Sequence, residues 1–340
     1  MSVQTSNTPD TGEAATVTIS VIVPCRDELP RLPAFLAGIE RQSLRPVEVV
    51  VADGASTDGT RAWWEQAAAS RDWLVVVDNP GRTIPRALNL ALAHASGELV
   101  ARMDLHAAYA PDYLAEVSAP LLADEQVVGC GGAMESTGEG PTGRAVAAVM
   151  RRPIGMGGAA HRVGAPGGPV DHVFSGCYRR AALLAAGGFD EGLSANEDVE
   201  MDVRLRLAGG RIWLAPDART SWSVPERLGR LASKMFRYGR CKAGTARRHP
   251  GSLRARQLAP PALIAVLVGL GVVKPAAAVG VLAAYVGATG VAAAAAARED
   301  GAPVWRAVPV PAVVHLSWGS GLIVGAVVEA ARVAASRARG

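Results

Sequence analysis

The residues of this chain that could do chemistry are mostly acidic, and they form three groups that lie far apart in the sequence. The groups are Asp53, the pair Asp104 and His106, and the pair Glu197 and Asp198. The first two follow apolar runs typical of buried strands, and the third opens a stretch with helical periodicity. A carboxylate at the end of a buried strand is costly unless it is paired or hydrogen-bonded. Each group is therefore either a structural cap or part of a ligand site.

Asp53 stands in the segment 51–60, Val-Ala-Asp-Gly-Ala-Ser-Thr-Asp-Gly-Thr. Its Gly, Ser, Thr and Asp residues favour a turn that leads into a helix. Asp53 could simply begin that turn. It could also accept hydrogen bonds from a nucleobase imide or a ribose, and the residues alone leave both interpretations open.

Asp104 and His106 follow a strand predicted over 98–103. Side chains alternate along an extended chain, so we expect both to point to the same side. One carboxylate and one imidazole suit a divalent cation such as Mn²⁺ or Mg²⁺, which would also hold a diphosphate. Taken alone, an Asp-x-His pair is also a common pattern without such a role.

Glu197 and Asp198 belong to the run 196–202, Asn-Glu-Asp-Val-Glu-Met-Asp. Acidic residues in the first turn stabilise a helix through its dipole, so capping is one interpretation. The other is a general base that removes the proton from an acceptor hydroxyl.

The elements that must position these groups alternate between strand and helix. The patterns predict strands over 17–23, 47–51, 73–77 and 98–103, and helices over 32–42, 60–69 and 85–94. This alternation indicates an α/β fold with a mostly parallel sheet and crossover helices. Ligands of such sheets lie beyond the carboxyl ends of the strands, so Asp53 and Asp104 should share one rim. The Gly-, Pro- and Ala-rich segment 135–169 predicts loops with short elements, where an acceptor could enter. Regular secondary structure should resume over 173–179 and in a helix over 198–208.

Beyond residue 226 the composition changes. Residues 227–256 contain ten basic and no acidic residues, with Leu228, Leu231, Met235 and Phe236 at roughly helical spacing. This pattern predicts basic amphipathic helices over 227–257 that lie on an anionic membrane surface. A solvated helix face is the alternative.

Residues 258–330 predict transmembrane helices. Lys274 is the only charge between 258 and 297, and 275–297 is long enough to cross a hydrocarbon core of about 30 Å. Residues 308–328 are a second candidate, whereas 258–273 could be an interfacial helix or a third crossing. Basic residues on both sides favour both ends in the cytosol and hence two crossings. Residues 331–340 then form a basic cytosolic tail, and the polar residues 1–16 a disordered amino terminus without the apolar segment of a signal peptide.

Other classes are disfavoured. A formal net charge of +4 is too small to indicate nucleic-acid binding. The four cysteines are too scattered for a disulfide framework or a zinc site. No Gly-x-Gly-x-x-Gly follows the first strand, which argues against a nicotinamide-binding domain.

Together the three acidic groups and the segments between them resemble the family 2 inverting glycosyltransferases, over about residues 19–241. The segments that carry the resemblance are Val-Pro-Cys-Arg-Asp-Glu at 23–28, the segment 51–60, Asn89 with Ala-Ser-Gly-Glu at 95–98, Asp-Leu-His at 104–106, Phe-Ser-Gly-Cys-Tyr-Arg-Arg at 174–180, Gly-Phe-Asp-Glu at 188–191 and Glu-Asp at 197–198. Asp-Asn-Pro-Gly-Arg at 78–82 and Arg-Met-Asp-Leu-His at 102–106 are most similar to the succinoglycan-type β-1,3-glucosyltransferases of exopolysaccharide assembly. Those enzymes also carry membrane helices after the catalytic domain.

The resemblance implies a glycosyltransferase A fold, Rossmann-like, over residues 17–226, and a UDP-linked sugar as donor. It implies donor contacts from Pro24, Arg26, Glu28, Asp53, Arg82, Asn89 and Asp104. Asp104 and His106 would hold the divalent metal, Asp198 would be the base, and Glu197 would border the acceptor. Attack opposite the leaving group would invert the anomeric centre and give a β-linkage from an α-linked donor.

Two positions depart from the family pattern. The metal motif is commonly Asp-x-Asp, and His106 replaces the second Asp with a ligand that binds less well at acid pH. Membrane-bound relatives commonly have Arg/Gln-x-x-Arg-Trp near the membrane, where this chain has Arg237, Arg240 and Cys241. Arg237 and Arg240 could still contact the acceptor and neutralise the diphosphate, or they could bind lipid headgroups. The missing Trp argues against processive polymer synthesis.

The leading hypothesis is transfer of a hexose, expected to be glucose, from a UDP-sugar to a polyprenyl-diphosphate-linked saccharide. The reaction would serve exopolysaccharide or cell-envelope glycan synthesis at the cytoplasmic membrane, with the catalytic domain on the cytosolic face. One alternative is a polyprenyl-phosphate hexosyltransferase that charges the lipid itself. Another is a catalytically silent membrane scaffold that binds a nucleotide or a saccharide.

Overall fold

A mixed sheet organises the part of the protein that precedes the basic helix. The structure is a computed structural model that describes residues 17–337, with side chains up to residue 335, so the expectations for 1–16 and for 338–340 lie outside it. The strands are β1 (Ile19–Cys25), β2 (Glu48–Asp53), β3 (Leu74–Asp78), β4 (Leu99–Arg102), β5 (Ala107–Tyr109), β6 (Val127–Thr137), β7 (Gly168–Val170), β8 (Cys177–Arg179) and β9 (Arg211–Ser223). Their order is β3-β2-β1-β4-β8-β6-β9-β5, and β7 pairs with β9.

The first four strands form the parallel half of the sheet that the sequence predicts. Strand β1 pairs with β2 and β4, and β2 pairs with β3, all in parallel. The β-branched run of β1 is buried almost throughout because helices cover both faces of such a sheet. The register places Cys25 beside Asp53 and Asp53 beside Asp78, so the loops that follow these strands meet at one rim.

The second half of the sheet is mixed. Strand β8 runs antiparallel to β4 and β6, and β6 pairs in parallel with β9 along most of its length. Strand β5 follows β4 after only a short turn, with no crossover helix between them, and it pairs antiparallel with β9. The expected α/β class is confirmed, and parallel pairing joins β1–β4 in one half of the sheet and β6 with β9 in the other.

The helices are α1 (Leu32–Glu40), α2 (Thr60–Ala68), α3 (Ile84–His94), α4 (Tyr113–Ala123), α5 (Gly140–Met150), α6 (Pro153–Met156), α7 (Arg180–Ala185), α8 (Glu197–Leu207), α9 (Leu228–Arg248), α10 (Ala255–Val273), α11 (Pro275–Glu299), α12 (Val304–Ala307) and α13 (Val310–Arg337). The segment 135–169, expected to hold loops and short elements, contains the 11-residue helix α5, whose residues 145–150 are all buried. Because these six residues are all apolar, they show no amphipathic period in the sequence.

The basic segment after residue 226 forms one long helix, α9, which packs along α13. Leu231 and Met235 are fully buried on its inner face. Glycines allow the two backbones to approach closely, because a Cβ on Gly321 would overlap the carbonyl of Phe236. An ion pair between Arg247 of α9 and Glu329 of α13, at 2.6 Å, ties the helices together near their ends.

Three helical segments are long and apolar enough to cross a membrane: 255–273, 275–299 and 304–335. The segment 258–273, which the sequence left open, is therefore a third candidate. In an apolar stretch of 18 residues from each segment, the share of buried residues is 0% in α10, 11% in α11 and 39% in the last segment. The hairpin of α10 and α11, which turns at Lys274, is thus the most exposed apolar part of the described chain.

The far end of this hairpin is attached to the catalytic domain. Arg151, just after α5, pairs with Asp300 at 2.6 Å, and Arg152 pairs with Glu299 at 2.6 Å. Arg306 of α12 donates a hydrogen bond to Thr142 of α5 at 2.6 Å. These contacts fix α11 and α12 to the domain while the turn at Lys274 remains outside it.

Candidate active site

A cleft of about 1130 Å³ lies between the carboxyl end of β4, the start of α8 and the apolar helices. Arg102, Asp104, His106, Glu197 and Asp198 line its catalytic-domain side. Its opposite wall is formed by α9 and by apolar side chains of α10, α11 and α13. The second and third acidic groups of the sequence are therefore brought together in one place.

Arg102 connects these two acidic groups. Its guanidinium donates to both carboxylate oxygens of Asp104, at 2.9 and 3.2 Å, and to Glu197 Oε1 at 2.7 Å. The Arg102 and Glu197 side chains are only 7% and 5% exposed. Burial raises the pKa of Glu197, although the charge of Arg102 opposes that rise. Arg102 thus orients two carboxylates at the site, a role that the sequence prediction missed.

The acidic first turn of α8 separates into different roles. Glu197 pairs with Arg102, whereas the buried Glu200 pairs with Arg204 at 2.7 Å and with His249 at 2.9 Å. The shortest ion pair that Asp198 forms among the described residues is 3.8 Å long, beyond hydrogen-bonding distance. Its side chain lines the cleft. Capping of the helix therefore does not account for all three carboxylates, and Asp198 is the one available to an acceptor.

His172 stands behind Asp198. Its Nδ1 donates to Asp202 Oδ2 at 2.7 Å, which leaves Nε2 3.8 Å from Asp198 Oδ2. Burial disfavours a charged imidazole, but Asp198 and Asp202 outweigh it and raise the pKa of His172. Burial also raises the pKa of Asp202, which accepts a further hydrogen bond from Tyr178 at 2.9 Å. The sequence offered no signal for His172, since it lies in a loop between β7 and β8.

Asp104 and His106, expected to face the same side, have different partners in the structure. Strand β4 ends at Arg102, and residues 105–106 lie in a turn, so the alternation of an extended strand does not apply there. Asp104 faces Arg102, whereas His106 Nε2 lies 2.7 Å from Glu28 Oε1. Burial favours a neutral Glu28, but His106 and Arg31 outweigh it and lower the pKa of Glu28.

These residues fit a divalent cation only in part. Among residues 17–335 no group of three or more His, Cys, Asp or Glu side chains has the arrangement of a metal site. Asp104 and His106 nevertheless line the same cleft and offer one carboxylate and one imidazole. Magnesium in particular is often bound through one or two carboxylates with substrate phosphates and water as the other ligands.

Asp53 occupies the turn position that was one of its two interpretations. It is 3% exposed, and its oxygens accept from the Ser56 hydroxyl at 2.5 Å and the Ser56 amide at 3.1 Å. The half-buried Pro24 lies near the end of β1, and the exposed Arg26 lies in the loop that follows. That loop is joined to the loop of Asp53 by the hydrogen bond from the Glu28 amide to Thr60, at 2.9 Å.

The other two predicted donor residues are placed differently. Arg82 is exposed in the turn after β3, with a positive φ of 57°. The amide of Asn89 donates to the Phe189 carbonyl at 2.8 Å and to Glu191 at 3.1 Å, and it accepts from the Phe189 amide at 2.7 Å. Asn89 thus holds the loop after α7, and its side chain has little capacity left for a donor.

Of the two predicted arginines of α9, Arg237 lines the cleft and Arg240 does not. Arg240 instead stands where α9 meets α13, close to Gly325. The cleft contains further cations that the sequence prediction did not assign, among them Arg162 and Lys234, which face the ring of Trp222. Their positions in the sequence, more than 70 residues apart, carry no signal of this contact.

Comparison with known proteins is consistent with this geometry. Residues 20–185 match the glycosyl transferase family 2 model. The chain is 34% identical over 312 residues to the succinoglycan biosynthesis protein ExoA of Rhizobium meliloti, covering 88% of this chain and 92% of that protein.

Two solved structures share the fold. The mannosyltransferase PcManGT from Pyrobaculum calidifontis, solved with GDP-Man and Mn²⁺, is similar with a TM-score of 0.62 and 24% identity, over 91% of this chain and 88% of that chain. GalNAc-T7, solved with UDP, GalNAc and Mn²⁺, has a TM-score of 0.50 and 14% identity, over 69% of this chain and 52% of that chain. The glycosyltransferase A fold is thereby confirmed, and the chain belongs to glycosyltransferase family 2.

Proposed function

We propose that the protein is a membrane-anchored, inverting hexosyltransferase that uses a UDP-sugar, expected to be UDP-glucose. Its acceptor would be a polyprenyl-diphosphate-linked saccharide of exopolysaccharide or cell-envelope glycan synthesis. The observation that carries the proposal is the single cleft in which Asp104 and Asp198 stand on one side and apolar helices on the other. Similarity to a succinoglycan biosynthesis protein supports the same substrate class.

The arrangement of α8 supports Asp198 as the group that accepts the proton. Asp198 would accept the proton of the acceptor hydroxyl, whose oxygen then attacks the anomeric carbon as the bond to the UDP oxygen breaks. UDP leaves with the bonding electron pair, and attack from the opposite face inverts the centre. Glu197, held by Arg102, would border the acceptor sugar and keep α8 in position.

The donor would lie along the rim formed by the loops after β1 to β4. Pro24, Arg26, Glu28, Asp53 and Arg82 would border the nucleoside, with Arg237 near the phosphates. Opening of the Asp53–Ser56 hydrogen bonds would free the carboxylate for a nucleobase. Asp104 and His106 would hold a divalent metal ion, which when bound supplies charge stabilisation for the departing UDP.

The experiment that tests this function uses the full-length protein in detergent with UDP-glucose, other UDP-hexoses and a lipid-linked saccharide. We expect acceptor-dependent release of UDP and a lipid product heavier by one hexose. Asp198→Asn should reduce kcat by about 10²–10⁴-fold without loss of UDP binding, because a general base of this kind contributes that much. The matched control is Asp72→Asn, an exposed carboxylate before β3, at the opposite edge of the sheet.

Three outcomes would each contradict a part of the proposal. Unchanged turnover of Asp198→Asn would remove Asp198 as the base. Hexose found on polyprenyl phosphate itself, with no transfer to a lipid-linked saccharide, would establish the alternative lipid-charging reaction. The cytosolic placement would fail if protease added outside intact cells cleaved the catalytic domain.

A further inference from the structure

One region of the cleft carries positive charge that the proposed reaction does not use. Arg162 ends a short 3-10 turn after α6, and Lys234 lies on α9. The Lys234 ammonium lies 3.9 Å from the centre of the Trp222 ring, and the Arg162 guanidinium carbon lies 4.9 Å from it. Three separate elements of the fold therefore bring two cations to one aromatic ring.

These two cations have no carboxylate partner among the described residues. Arg162 donates one long hydrogen bond, to the Ser136 hydroxyl at 3.4 Å. Burial and the neighbouring Arg162 and Arg237 lower the pKa of Lys234 to about 8. Burial lowers the pKa of Arg162 to about 10. Two like charges held together at a half-buried site are unfavourable unless an anion joins them.

The place of this pair within the cleft indicates which anion. On one side are the catalytic carboxylates, since Asp104 acts on the charge of Lys234 and Asp198 on that of Arg162. On the other side are apolar groups of the membrane-type helices, including Leu263 of α10 and Trp318 of α13. The cleft thus offers a ligand carboxylates, cations and apolar side chains. A sugar joined through a diphosphate to a hydrocarbon chain has a group to match each of the three.

We propose that Arg162 and Lys234, held against Trp222, bind the diphosphate of the lipid-linked acceptor. The inference rests on the proposed function for the identity of the lipid, and it adds the residues that recognise it. Trp222 fixes both cations through its ring face, which leaves their N–H groups free for phosphate oxygens. The hydrocarbon chain would leave the cleft between α10 and α13.

The test measures binding to the full-length protein in detergent, without any transfer reaction. The probes are farnesyl diphosphate, as a short prenyl diphosphate, and UDP, as the diphosphate of the donor. Arg162→Gln and Lys234→Gln should each weaken farnesyl diphosphate binding by about tenfold or more and change UDP binding by less than about twofold, because each removes a charge-assisted contact. Lys234→Arg should restore binding, which separates loss of charge from loss of folding. Arg45→Gln, an exposed cation before β2 at the other edge of the sheet, is the matched control.

Two results would overturn the inference. If UDP binding falls and farnesyl diphosphate binding does not, the pair belongs to the donor. If neither falls in variants that retain the wild-type unfolding midpoint, the pair binds no diphosphate. Farnesyl diphosphate binding that depends on Arg162 and Lys234, in a protein that transfers no sugar to lipid-linked saccharide, would instead refute the proposed function and leave this site standing.

Discussion

Replacing Arg102 with methionine should destabilise the protein strongly, because it leaves buried carboxylates without their cation. Arg102 is 7% exposed and contacts Asp104 and Glu197, the latter only 5% exposed. Removing one partner of a buried ion pair costs about 3–5 kcal/mol. Typical domains are stable by about 5–15 kcal/mol, so Arg102→Met should remove a large part of the stability.

Replacing the acidic partner, Glu197, should reduce the free energy of unfolding much less. In Glu197→Gln the guanidinium retains both hydrogen bonds to Asp104. The lost contact to a charged group is worth about 1.5–3 kcal/mol, and relief of the burial that raises the pKa of Glu197 offsets part of it. The double variant Arg102→Met/Glu197→Gln should therefore be more stable than Arg102→Met alone by about 1–3 kcal/mol.

The assay is urea unfolding of the detergent-solubilised protein, followed by tryptophan fluorescence at several pH values. Without Arg102, burial should raise the folded-state pKa of Glu197 further above its unfolded value. The penalty of the unpaired Glu197 is then complete above the folded pKa and absent below about 4.3, so the deficit against wild type should shrink as pH falls. Additive effects of the two substitutions, or a deficit that does not change with pH, would refute the assignment of Arg102 as the partner of Glu197.

Three further predictions concern other parts of the chain. The raised folded-state pKa of His172 should make wild-type stability decrease as pH rises above about 6.5, and His172→Gln should lack this part of the decrease. Thermal unfolding midpoints that fall equally steeply with pH in both proteins would contradict this. Gly321→Ala should cost about 1–3 kcal/mol in urea unfolding, since its Cβ would overlap a carbonyl of α9, whereas Gly229→Ala, with open space around it, should be nearly neutral. If the α10–α11 hairpin crosses the membrane, Lys274→Cys in a Cys241→Ser background should react with an impermeant maleimide added outside intact cells. Reaction only after lysis would exclude that crossing.

Much of the parallel half of the sheet could be predicted because its signals are local. The β-branched run of β1 and the helical spacing of α1 and α3 depend only on neighbouring residues, and the structure has these elements within about two residues of the predicted bounds. Helix α5 could not be predicted in the same way, because its residues 145–150 are all apolar and all buried. The long strand β9 was also missed, since Pro216 and a register shift against β6 interrupt its alternation.

The candidate site also has features that local sequence predicts and others that it does not. The sequence determined that carboxylates stand at the end of β4 and at the start of α8, and that an apolar carboxyl-terminal third follows a basic helix. Only the tertiary structure decided their distant partners, Arg102 for Glu197 and Glu28 for His106. A residue's position in an element follows from local periodicity, whereas its partner follows from packing between distant segments. The cations around Trp222 come from three such segments, so they became a site only when the chain folded.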